Sequence, residues 1–326
     1  MLRHYGYSES MGSVEKRSLL SLSEFRELYD AKWPVIVTDI IPFWEAYRTW
    51  NKEFFLTHYG SQNVLMRTVK GRLNESVAQV KPLSDFVRLL DQTTDPTSWV
   101  YLEDELFLIQ NPRLRAFVGS NYLLDENMFS LFPPEIRPWD SMLLWGGQHS
   151  RSFLHMDPYN WTAVNAVLWG AKHWKLYPPG QDQFLYIVPD LKCGFPLECR
   201  KYNSEVDAFD VDIERYPLFR RASHLEVVQT RGEVIVIPSG WFHQAYNINE
   251  CLSVSMQLMS PSNHLAVLEE IVKGGNLHRD KLPPLFDSMG PVEQVKLFMS
   301  LIPKETLQSG EDTTKKVLKQ KADVIV

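Results

Sequence analysis

From residue 141 to residue 258 the sequence reads as short strands separated by turns. Side chains of alternating character run through Ser152-Phe153-Leu154-His155-Met156-Asp157, and again through Ala171-Lys172-His173-Trp174-Lys175-Leu176, with Gly170 breaking the second run from Val164–Trp169. Period two of this kind places residues i and i+2 on one face of a strand. The run Val234-Ile235-Val236-Ile237 meets Pro238-Ser239-Gly240 and an aromatic-rich return, which describes a hairpin with His243 at the start of the returning strand. The pattern predicts a mainly β fold of the double-stranded β-helix, jelly-roll type.

The period changes on both sides. Ser21 or Ser23 can cap a helix through Tyr29, with Leu22, Phe25 and Leu28 at helical spacing. A strand over 34–38 follows, then helices over 51–59 and 83–90, then a strand around Trp99 and Tyr101. Downstream, Ser262 or Asn263 can cap a helix to Lys273, stopped by Gly274-Gly275, and Pro291 begins another through Leu301. The expected organisation is one compact domain: a mobile N-terminus over 1–18, a helix and strand layer over 19–140, a barrel core over 141–260 with an insertion at 180–230, C-terminal helices over 261–310, and a basic tail over 311–326.

Composition supports a well-packed globular protein. Of 326 residues 44% are hydrophobic, with 10 Trp, 17 Phe and 13 Tyr, which is unlike a disordered protein. The net charge of −6 argues against a broad phosphate-binding surface, so nucleic acid is the less expected partner. No run approaches a membrane span and the N-terminus shows no apolar leader segment, so a cytoplasmic or nuclear location is expected. Cys193, Cys199 and Cys251 suit neither a zinc site nor a disulfide framework and read as free thiols.

The candidate chemistry begins with His155, Asp157 and His243, an H-x-D pair followed by a distant histidine. Two imidazoles and one carboxylate leave about half of an octahedral ion open, the design of non-haem Fe(II) oxygenases. The alternative is a pair of ordinary core or turn histidines. Lys172 adds to the first reading. Period two puts it on one face with Trp174 and Leu176, leaving His173, Lys175 and Tyr177 on the wetter side. A cation aimed at an apolar interior needs a partner, and an anionic small molecule would serve; a lysine whose stem covers apolar surface is the competing account.

The segments His155-x-Asp157-Pro158, Asn165, Trp169-Gly170-x-Lys172-x-Trp174-x-Leu176-x-Pro178 and Gly232-Glu233 through Ile237-Pro238, Trp241, His243 and Asn247 resemble the JmjC-domain 2-oxoglutarate- and Fe(II)-dependent oxygenases. Among these they are most similar to the small JmjC protein hydroxylases, the lysyl hydroxylase and arginine demethylase type. The similarity is strong over 139–259 and looser over 19–132. It implies a cupin-like jelly-roll, Fe(II) held by His155, Asp157 and His243, 2-oxoglutarate as cosubstrate with Lys172 on its distal carboxylate, and O2 as oxidant. It also implies that Asn165, Ser152, Ser255 and Asn247 help to hold the cosubstrate. The implied reaction is hydroxylation of a C–H bond in a protein side chain, with release of succinate and CO2. RNA-base hydroxylation and demethylation of N-methyl-lysine or N-methyl-arginine are the alternatives within the family. A cupin-type metal isomerase or decarboxylase and a non-catalytic scaffold are those outside it.

Two expectations concern partners. Glu205, Asp207, Asp210, Asp212 and Glu214 have no basic residue among them. They read either as a pocket border attracting a basic peptide or as a solvated loop anchored by Tyr216-Pro217-Leu218-Phe219. The resemblance further implies a homodimer through the terminal helices, with Leu297, Phe298 and Leu301 as candidates.

Overall fold

The computed structural model describes residues 8–93, 95–190 and 197–322, and its strands assemble into two facing sheets. One consists of β1 (Glu9–Ser13), β13 (Ser223–Thr230), β10 (Ala171–Tyr177), β15 (Phe242–Asn247), β8 (His155–Met156), β12 (Lys201–Ser204) and β11 (Ile187–Asp190), in that spatial order. The other runs β2 (Glu15–Arg17), β3 (Val35–Val37), β14 (Val234–Ile237), β9 (Thr162–Trp169), β16 (Cys251–Leu258), β7 (Met142–Gly146), β6 (Ser98–Asp104), β4 (Asn63–Lys70) and β5 (Val77–Pro82). Trp174, Leu176 and Val227 of the first sheet pack against Ile36, Ala163, Ile235 and Ile237 of the second, so the inner faces share one core, as the jelly-roll expectation requires.

Alternation sorts every barrel strand into an inner and an outer set. On β9 and β16 the outward set, Val164, Ala166, Leu168, Leu252, Val254 and Met256, packs under the helices Leu22–Leu28, Lys52–Tyr59 and Leu83–Gln92. Those helices begin where the sequence placed them: Ser21 and Asn51 accept from the backbone N–H of Glu24 and Phe54. The inward set is more polar and includes Asn165, Ser253 and Ser255. Between β9 and β10, Gly170 (φ 80°) lets the backbone pass from one sheet to the other; a Cβ there would lie 2.2 Å from the Glu250 carbonyl oxygen.

Several expectations are corrected. The stretch over 1–18 is not mobile throughout: β1 and β2 pair in parallel with β13 and β3. Their side chains are almost all exposed, so backbone hydrogen bonding at sheet edges holds them, which an apolar pattern does not register. Residues 1–7 lie outside the described residues. The insertion ends before 223, because β13 is a full barrel strand paired along β10. Tyr177 is not on a wet face; it is buried with Leu154, Phe219 and Phe242 beneath the insertion. The basic tail continues as a helix over Lys304–Ala322. Gly310 brings that helix so close to the Glu135 carbonyl that a Cβ would stand 2.1 Å from it. Asn263 precedes the helix His264–Lys273 without a capping bond; its amide instead donates to Thr162, Ser239 and the Leu258 carbonyl.

Cys199 is disulfide-bonded, against the free-thiol expectation; a single bridge needs no framework of regularly spaced cysteines. Cys251 is a buried free thiol, and Cys193 lies outside the described residues. Phe298 is 1% exposed within a core it shares with Val295, Ile271 and Met128. It is spent within its own protomer rather than offered to a second copy, and Leu297 and Leu301 pack on the same core. Among the described residues no helix is long and apolar enough to cross a membrane.

Candidate metal and anion site

His155, Asp157 and His243 meet at one end of the barrel interior. His155 lies directly opposite His243 across β8 and β15. Their Nε2 atoms stand 3.3 and 3.5 Å from Asp157 Oδ1, and one ligand atom from each residue falls within 4.8 Å of the others. Each imidazole is oriented from behind: Nδ1–H of His155 donates to the Phe153 carbonyl at 2.8 Å, and that of His243 to the Trp241 carbonyl at 3.3 Å. A carbonyl only accepts, so the proton sits on Nδ1 and both Nε2 atoms turn to the common point. Asp157 Oδ2 accepts from Trp161 Nε1 at 3.0 Å, which leaves Oδ1 for that point.

The electrostatics suit a cation. Burial alone would push the Asp157 carboxyl up, but the two imidazoles beside it outweigh that and hold the group far below the usual carboxylate range. Burial pushes His243 down, keeping its imidazole neutral. The same burial acts on His155, where Asp157 more than offsets it and raises the pKa. One ionised carboxylate facing two imidazoles is a donor set for a divalent transition metal, and it leaves coordination positions open.

Local backbone strain locks the two ligand segments together. Tyr159 and Asn160, just after Asp157, both adopt the left-handed region (φ 53° and 54°), which costs a non-glycine residue about 1–2 kcal/mol. The Asn160 side chain accepts from Gly240 N–H in the turn ahead of His243, and the Tyr159 hydroxyl accepts from Leu197 N–H at 3.0 Å. These bonds offset the strain and fix the H-x-D segment against the hairpin.

Deeper in the barrel lies Lys172, 1% exposed. Its ammonium donates to Asn247 Oδ1 at 3.0 Å and lies 5.6 Å from the Tyr101 ring centroid; no carboxylate forms an ion pair with it among the described residues. Burial drives its pKa down, as expected for a cation short of a counter-charge. Asn247 is held in turn: its Nδ2 donates to Ser150 Oγ at 2.8 Å, and that hydroxyl donates to the Gly147 carbonyl at 2.5 Å. Gly146 leaves room for this arrangement, since a Cβ would lie 2.2 Å from Ser150 Oγ and 2.4 Å from both Asn247 Nδ2 and the Tyr101 ring.

On the inner face of β9, Asn165 is buried with its Oδ1 unpartnered while Nδ2 reaches Ser253 Oγ at 3.4 Å. Ser255 is its cross-strand neighbour on the inner face. An unsatisfied amide oxygen, a half-buried hydroxyl and a buried ammonium without a carboxylate partner among the described residues are groups that a small dicarboxylate would satisfy. Ser152 is different. Its hydroxyl accepts from Ala245 N–H at 3.1 Å and stitches its segment to β15. Tyr101, which sequence reasoning missed, joins the site from β6; its only signal was the alternation Trp99, Tyr101, Glu103.

The acidic stretch does not border this pocket. Val206, Ala208 and Val211 pack with Leu154 and Phe242, the sequence neighbours of His155 and His243 that point the opposite way, so the loop covers the outer face of the sheet. Three of its five acidic residues are also paired: Asp207 with Arg151 at 2.5 Å, Glu205 with Arg215 at 2.8 Å, and Asp212 with Arg72 at 3.9 Å. An attraction for basic peptides therefore finds no support in this loop.

A family profile described as the cupin-like domain matches residues 21–258. Among curated proteins, the sequence is 29% identical to Arabidopsis thaliana lysine-specific demethylase JMJ21, over 82% of this protein and 28% of the relative. It is 25% identical to the Danio rerio 2-oxoglutarate and iron-dependent oxygenase JMJD4, over 58% of this protein and 44% of the relative. Identity is also 25% to the Caenorhabditis elegans bifunctional arginine demethylase and lysyl-hydroxylase psr-1, over 82% and 68% respectively. The match thus spans well under two thirds of the first two of these proteins.

Proposed function

Since the protein belongs to the cupin-like family, we propose that it is a 2-oxoglutarate- and Fe(II)-dependent dioxygenase that hydroxylates a C–H bond in the side chain of a protein substrate. The observation that carries this reading is Lys172, a buried ammonium without a carboxylate partner among the described residues, set on the inner face beyond a two-histidine, one-carboxylate cluster. A metal isomerase or decarboxylase has use for the cluster and none for that lysine.

His155, Asp157 and His243 would hold Fe(II), which when bound with 2-oxoglutarate and O2 supplies oxidative decarboxylation coupled to C–H oxidation. Lys172 would pair with the distal carboxylate, and Asn165 and Ser255 would offer the cosubstrate further polar contacts. Trp174 and Ala245 close the interior on the sheet that carries the histidines and exclude water from the reacting atoms. The protein's share of catalysis is this orientation and dryness. N-methyl demethylation is the second reading, favoured by the names of two relatives: hydroxylating an N-methyl carbon gives a hemiaminal that releases formaldehyde.

Two results are expected. Purified protein loaded with Fe(II) converts 2-oxoglutarate to succinate in air, and chelation abolishes the conversion; succinate formation indifferent to metal would remove the reading. Asn247→Ala leaves metal affinity unchanged and weakens 2-oxoglutarate roughly tenfold or more, because a hydrogen bond that holds a charged group is worth about 1.5–3 kcal/mol. Calorimetry on the Mn(II)-loaded protein measures both, and wild-type affinity in the variant would show that Lys172 needs no such support.

A further inference from the structure

Beyond the metal ligands both sheets continue past the core, and the faces continuous with the barrel interior are bare. On β4 the residues Leu65, Arg67 and Val69 share a face. Val69 is buried with Trp99, Tyr101 and Leu144, which identifies that face as the interior one. Leu65 and its cross-strand partner Val80 continue it and stand 43% and 62% exposed, whereas Val64 and Met66 on the opposite face are buried. The other sheet does the same. Asn203 lies directly opposite His155, and Val188 opposite Asn203 is 67% exposed; their neighbours Tyr202 and Ile187 turn outward into the core under the insertion.

The two walls are tied together where Arg67 covers the Phe153 ring at 5.5 Å. Each wall ends in a terminal strand of its sheet, β5 and β11, so backbone groups are also on offer along the rim.

We propose that these faces are the docking cleft for the substrate, and that they select an extended polypeptide segment with apolar side chains flanking the residue delivered to the metal. The inference rests on the oxygenase reading and adds to it the kind of sequence accepted. Its occupant follows from three observations. The cleft opens directly onto His155, which is half-buried and so reachable by a side chain. Its projecting residues Leu65, Val80 and Val188 are aliphatic. Its charges come in opposite-sign neighbours, Arg67 with Glu103 at 3.4 Å and Lys201 across from Asp190. A wall of that composition offers no row of cations to a phosphate backbone and no row of anions to a basic peptide.

The test compares wild type with Val80→Glu and Val188→Glu. Succinate release is measured with pools of short peptides whose flanking positions are fixed as Leu/Val, Lys/Arg, Asp/Glu or Ser/Gly, and with total transfer RNA. Mn(II) and 2-oxoglutarate binding serves as the control for folding and pocket integrity. The Leu/Val pool is expected to raise succinate output above the peptide-free level, and each substitution to raise KM for that pool roughly tenfold without changing 2-oxoglutarate affinity. Stimulation by the Lys/Arg pool or RNA instead, by no pool, or equally in the variants overturns the docking inference alone. Absence of both 2-oxoglutarate binding and peptide-free succinate overturns the oxygenase reading beneath it.

Discussion

Lys172→Met is expected to bind 2-oxoglutarate far more weakly than wild type and to unfold at a higher temperature. The two effects have one cause. In the free protein the ammonium is buried, held by one amide oxygen and an aromatic face, and its pKa is driven down by burial. Replacing such a group by an apolar side chain of similar shape removes a desolvation cost and is commonly neutral or stabilising. With 2-oxoglutarate bound, the same ammonium gains the carboxylate it lacks. Losing one member of a buried charge pair costs about 2–5 kcal/mol, or roughly thirtyfold to several thousandfold in affinity. The sign of the pH dependence follows: the anion needs the charged lysine, so affinity falls as pH rises through the lowered pKa, earlier than for an ordinary lysine. Calorimetry and thermal unfolding check both halves. A variant that is destabilised and still binds would make Lys172 a packing residue.

Asp157→Ala should remove metal binding, and 2-oxoglutarate binding with it. Asp157 is the single anion of the cluster, and its Oδ1 faces both imidazoles. Without it two histidines remain, packed with ring centroids 4.4 Å apart, and no anionic donor among the described residues faces them. Loss of an outer partner alone typically costs 10–100-fold in metal affinity, so loss of the carboxylate ligand itself should exceed about 100-fold. Equilibrium dialysis against Fe(II) or Mn(II) measures it. Retained metal at wild-type affinity would mean that the cluster is not the site.

Where the sequence was legible, the structure shows why. Period two in the barrel strands follows from burial of one face, and it placed His155, His243 and Lys172 on inner faces. The cluster of His155, Asp157 and His243 was readable because the first two lie two residues apart at the end of β8 and the third opens a hairpin return. Tyr101 was not, since it comes from a distant strand and meets Lys172 from the facing sheet; nothing in its own neighbourhood distinguishes it from a core tyrosine. The N-terminal strands were invisible for a different reason. Backbone pairing holds them, and their side chains carry no apolar pattern. The helix Lys304–Ala322 carries charges at both ends and docks through a close backbone approach at Gly310 with only Leu307 packed on the C-terminal core among the described residues. Of the two readings of the acidic loop, the one anchored by Tyr216 and Phe219 is the one the packing supports, since charge in a sequence does not tell which face of a sheet the loop will cover. Its Val206, Ala208 and Val211 carried that information, as an apolar anchor for the outer face.

The most direct test is an anaerobic calorimetric titration of 2-oxoglutarate into the wild-type protein with and without Fe(II). Saturable one-site binding that requires the metal and disappears in Lys172→Met is the predicted result. Absence of binding to the Fe(II)-loaded wild type, or binding indifferent to both metal and Lys172, would contradict the assignment of this barrel as a 2-oxoglutarate oxygenase.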